Sequence, residues 1–205
     1  NLLIVITNYC ILKNIGRMNG VDVDLFKSGI LSDLICNLCC SYYHIFVGKY
    51  KYPTKPNYFW VSIMMMNDFS RNMIISSVIK DRYGGNQIYY MITCIIFSLL
   101  NGYNSNHFDG IIDDKVNTVL NINKYWIHIV NGYILKNKYI TTVGIFGVIH
   151  ETGYMGYILK FDKCNQNDNY NGILPKQFNH NAVYHLNWTI YNYILFKAYK
   201  SQKIR

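Results

Sequence analysis

From Tyr83 to Phe108 the chain carries no Asp, Glu, Lys or Arg, and the centre of that stretch, Ile88 to Leu100, is mostly apolar. Such a segment has to be covered, because its side chains gain free energy by leaving water. The apolar centre, about 13 residues, is shorter than the roughly 20 that a spanning helix uses. The expectation is a buried core element and no transmembrane segment. Periodicity does not choose between helix and strand for a run this short.

The rest of the chain reads as one domain over residues 1–205, ending in a basic tail at 197–205. No repeat and no linker rich in Pro, Gly or Ser divides it. With 51% apolar and 15% charged residues, it has enough apolar material for a sizeable core. Residues 2–12 read as a strand. Asp24 is placed to cap a helix from Leu25 to Val47, on which Ile30, Leu34, Leu38 and Tyr42 form one stripe. Pro53 and Pro56 make 49–56 a loop. A strand at 58–66 and a helix at 70–80 follow. After the apolar centre of the uncharged stretch come a loop at 101–110 and a short helix at 111–122. Two apolar runs, 141–149 and 154–161, flank His150, Glu151, Thr152 and Gly153 and predict a β-hairpin with Glu151 at its tip. Alternation of Tyr184, Leu186, Trp188 and Ile190 predicts a half-buried strand at 182–190. The fold class expected is therefore α+β: a compact domain with a long amphipathic helix in its N-terminal half and a C-terminal antiparallel β-hairpin.

The formal net charge is +9 and the pI about 9.2, a field that attracts polyanions. Lys49, Tyr50, Lys51, Tyr52, Lys55 and Tyr58 combine cations for phosphates with rings for stacking on bases. Lys197, Lys200, Lys203 and Arg205 extend the same chemistry at the C-terminus. The leading expectation is an RNA- or ribonucleoprotein-binding protein. Composition has a second source, however. The 25 Asn and 20 Tyr, with many Ile and Lys, are what AT-rich codons write, as in an organelle such as a mitochondrion. The chain opens on Asn1 rather than Met, which predicts processing or truncation; LLIVITNYCIL has neither the basic region nor the cleavage site of a signal peptide.

Enzyme readings rest on fewer residues. Asp22 and Asp24, two apart on an extended segment, could share divalent metals with Asp68 as a third carboxylate. NGVDVDLF resembles nucleotidyltransferases of the polymerase-beta type. It departs from them in having Arg17 after Gly16 where that family has a Gly-Ser turn. Glu151 is the only Glu. With His150, or with His128, His180 or His185, it supplies an acid–base pair for metal-independent RNA cleavage. HETGY lacks the second His of a zinc peptidase. The cysteines at 10, 36, 39, 40, 94 and 164 are too crowded for a disulfide framework and predict reduced thiols in an intracellular compartment. Cys36, Cys40 and His44 share a helix face with Asp33, but no second ligand motif completes a zinc site. No metal and no cofactor is expected. A third reading makes the chain a structural subunit whose Tyr-rich surfaces bury against neighbours in a larger, membrane-associated assembly.

Overall fold

The computed structural model describes residues 1–43, 58–105, 122, 124–161 and 180–201. Seven helices and no strand lie among these residues: α1 Leu2–Asn14, α2 Val23–Tyr42, α3 Tyr58–Tyr83, α4 Gln87–Ser105, α5 at 124–134, α6 Lys138–Phe161 and α7 His180–Lys200. The α+β expectation is overturned. Residues 141–161 lie within α6, so there is no β-hairpin there and Glu151 is not at a tip. The strands expected at 2–12, 58–66 and 182–190 are parts of α1, α3 and α7.

The physical reason is a period that shorter windows hide. In α7, Trp188, Tyr191, Asn192, Leu195, Phe196 and Tyr199 are buried, at helical steps of three and four, while Leu186 and Ile190 are exposed. In α6, Ile140, Val143, Gly144, Gly147, His150 and Glu151 face inward at the same steps. Ile, Val, Thr and Tyr have strand propensity, but packing overrides it over 20 or more residues.

The long N-terminal-half helix is present as α2. Its N-cap is Asp22, two residues earlier than the expected Asp24, and the Asp22 carboxylate accepts the Leu25 N–H at 3.0 Å. The helix expected at 70–80 is the second half of α3, and the uncharged stretch forms α4 through Ser105. The expected loop 49–56 and most of the expected helix at 111–122 lie outside the described residues.

Helix α2 packs between α1 and α3, α4 packs on α3, and α7 packs on α1 and α6. Glycines bring α5 and α6 into near-backbone contact. A Cβ at Gly144 would stand 2.9 Å from the Tyr125 carbonyl oxygen, and one at Gly132 would stand 3.0 Å from the Ile140 carbonyl carbon. The Tyr125 ring meets Tyr191 of α7 edge-on at 5.0 Å.

The helix ends gather at one end of the bundle. The Asp22 N–H, at the start of α2, donates to the Ser77 carbonyl at 2.8 Å, and the Asp22 carboxylate pairs with Lys80 near the end of α3. Asn131 of α5 donates to the Gly20 carbonyl at 2.9 Å. Lys200 of α7 donates to the Asn14 carbonyl, at the end of α1, at 2.8 Å. The starts of α4 and α6 follow directly from the ends of α3 and α5.

Candidate functional site

Polar side chains fill the interior. The Asp33 carboxylate of α2 accepts four hydrogen bonds: from Asn8 of α1 at 2.8 Å, Asn37 at 3.1 Å, and Asn192 and Trp188 of α7 at 3.0 and 3.3 Å. On α3, Asp68 pairs with Arg71 at 3.4 Å and accepts from Asn101 of α4. The Trp188 ring has the Lys124 amine 3.5 Å from its centroid and the Arg71 guanidinium 5.7 Å away. Tyr125 and Tyr191 complete an aromatic cage around Lys124, each with its centroid 5.3 Å from the amine. Tyr125 also donates to Glu151 at 3.3 Å. His128 meets the Tyr199 hydroxyl at 2.8 Å and Asn187 meets His150 at 3.3 Å.

Lys124 is 0% exposed. Its Nζ, the His128 Nε2 and the Tyr191 Oη have no hydrogen-bond partner among the described residues. Five ionisable side chains of opposite sign, Asp33, Asp68, Arg71, Lys124 and Glu151, are thus withdrawn from the surface. Each costs several kcal/mol to desolvate, an amount its partners offset only in part. Charged residues in water-soluble folds are almost never fully buried unless paired.

The outside is the converse. Ile92, Ile95, Ile96, Phe97, Leu99 and Leu100 of α4 are exposed, as are Leu31 and Ile35 of α2 and Ile145 and Ile149 of α6. Exposed Phe97, Phe146 and Tyr193 lie within this apolar zone, and further exposed aromatics sit towards its two ends. Tyr83, Tyr89, Tyr133 and Tyr139 lie where the helix ends gather, and Tyr42, Tyr58, Tyr103 and Trp126 lie towards the opposite end. Among side chains described, every charged one that is not buried lies within about two turns of the gathered end. Lys13, Arg17, Lys27, Lys80, Arg82, Lys136, Lys138, Lys197 and Lys200 stand there against Asp22, Asp24 and Asp81. Burial, and then the Asp22 carboxylate beside it, raise the Asp81 carboxyl above its ordinary value. No described helix is long and apolar enough to cross a membrane.

The residues singled out from sequence are dispersed. Asp22 caps α2 and pairs with Lys80, and Asp24 is exposed beside it. Asp68 lies twelve residues before Lys80 on α3, about 18 Å along the axis, so the three carboxylates do not converge. No group of three His, Cys, Asp or Glu that could hold a metal occurs among the described residues. Glu151 and His150 are buried in α6. Tyr58 is 80% exposed at one end of the bundle, while Lys197 and Lys200 are at the other. Lys49, Tyr50, Lys51, Tyr52, Lys55, Lys203 and Arg205 lie outside the described residues. Cys10, Cys36, Cys39, Cys40 and Cys94 are free thiols.

Arg71, Lys124, Asn8 and Asn192 had escaped notice. Their signal was polar residues at helical steps inside apolar segments, as in Lys124, His128 and Asn131 or in Asp33 and Asn37. Over the described residues, the fold and its surfaces define a class, a helical bundle with a charged interior and an apolar coat. No family model matches the chain, and no curated protein or solved structure is similar to it.

Proposed function

We propose that this chain is a lipid-facing helical bundle, seated in a membrane with acyl chains against its sides, whose work is carried by the charged groups of its interior. The observation behind this reading is the inversion of polarity: charged side chains at mid-bundle are inside, and Ile, Leu and Phe at the same level are outside. In lipid, ionisable residues turn to the bundle interior and pair with one another. Aromatic side chains collect where hydrocarbon gives way to headgroups, and small residues let helices approach closely. The girdles of Tyr and the contacts at Gly132 and Gly144 fit that environment.

The helices α2, α3, α4, α6 and α7 have 19–26 residues, or about 28–39 Å, against a hydrocarbon layer of about 30 Å. Inward polar side chains, such as Asp68, Ser70 and Arg71 on the buried face of α3, lower the apolar character of these helices. The assembled bundle hides that face. Tyr as the main polar member of the coat also suits the headgroup level, where its ring is covered and its hydroxyl stays wet.

The test is flotation. The full chain, transferred from mild detergent to phosphatidylcholine vesicles, is expected to rise with the lipid and to resist extraction by high salt. Recovery in the dense fraction as a water-dispersed particle would overturn the reading. A large complex there would favour burial of the coat against protein neighbours.

A further inference from the structure

Resting on that bilayer reading, we infer that the gathered, basic end of the bundle is a docking surface for anionic lipid headgroups. Seven helices contribute an end or a start to this one surface, and nine basic side chains stand there against three acidic ones. Only one ion pair, Asp22 with Lys80, neutralises charge at this end among the described residues.

Favourable placement against helix dipoles explains part of the pattern, since Lys13, Arg82 and Lys197 lie in last turns. It does not explain Arg17 in the α1–α2 turn or Lys136 between α5 and α6. It is opposed by Lys138, which opens α6 at the positive end of its dipole with no acidic residue in the first turn. Three cations held where the described residues supply no counter-charge call for an external anion. Exposed Tyr83, Tyr89, Tyr133 and Tyr139 lie beside them. That places the surface at the boundary between hydrocarbon and headgroups, where a lipid phosphate is the anion at hand.

The experiment compares vesicles of phosphatidylcholine alone with vesicles also containing phosphatidylglycerol. The parent is set beside a variant carrying Arg17→Gln, Lys136→Gln and Lys138→Gln, all at exposed positions. Each basic group near an anionic surface contributes about a fivefold change in partition. The parent should therefore need at least about tenfold less of the anionic lipid, with the preference fading at high salt. The variant should lose most of that preference while still floating on neutral vesicles. Equal flotation of the parent on both lipids would overturn the headgroup proposal and leave the bilayer reading intact. Flotation on neither would overturn both. Displacement of the parent's anionic preference by low concentrations of single-stranded RNA would assign the surface to nucleic acid instead.

Discussion

At the residue scale the interior is asymmetric in how well its charges are served. Asp33 accepts four hydrogen bonds from three helices, whereas the Lys124 amine, against the Trp188 ring, makes none among the described residues. Removing an acceptor leaves its donors buried and unpaired, but replacing an unserved amine by a similar apolar chain removes a cost. Asp33→Ala is therefore expected to lower unfolding stability by about 3 kcal/mol. Lys124→Met should leave it within about 1 kcal/mol of the parent or raise it. Thermal or denaturant unfolding in the lipid or detergent that keeps the chain dispersed would check both. A large loss for Lys124→Met would mean that the amine is served by partners the geometry does not show. Asp33 had drawn attention in the sequence as a neighbour of Cys36 and Cys40. Its partners Asn8 and Asn192 are 184 residues apart, and no local pattern announces such a meeting.

At the element scale the outcome turned on windows. The uncharged stretch was legible as one apolar element, but it was expected in the core and its Ile, Leu and Phe side chains are largely exposed on α4. The α2 segment was legible as a helix, but its cap is Asp22 rather than Asp24, and Leu38 and Tyr42 of the expected stripe face outward. Segments of α6 and α7 read as strands because seven to nine residues of Ile, Val, Thr and Tyr alternate as well as they spiral. The glycines mattered more than those propensities. Gly144 was read as part of a strand, whereas it is the point at which α5 and α6 nearly touch. A methyl group there meets a backbone oxygen, which cannot swing aside. Gly144→Ala should cost about 1–3 kcal/mol through overpacking. Gly153→Ala, in the same helix, meets nothing within 4 Å and should be neutral or gain up to about 1 kcal/mol from helix propensity. Paired melting curves that moved together would show that the contact with α5 is not what constrains Gly144.

At the scale of the whole molecule, composition concealed the arrangement. An AT-rich vocabulary supplies Ile, Tyr, Asn and Lys everywhere, so abundance carries no address. Only the fold sorts the polar residues inward and the basic ones to one end. The sorting makes a prediction that separates water from lipid around the coat. Ile96, midway along α4, is 51% exposed and belongs to none of the core clusters. On a water-exposed face, Ile96→Lys would change stability by no more than about 0.5 kcal/mol. In a bilayer, a Lys at the middle of a helix costs about 3 kcal/mol. The expected result is a loss of that size in lipid, seen as weakened flotation and a lowered unfolding midpoint. A Lys introduced at Tyr89, towards the headgroup level, should cost far less, because a long side chain there reaches water. Equal, small effects at both positions would show that the coat faces water. A depth-dependent pair of effects would mark α4, the least covered helix of the bundle, as lipid-facing.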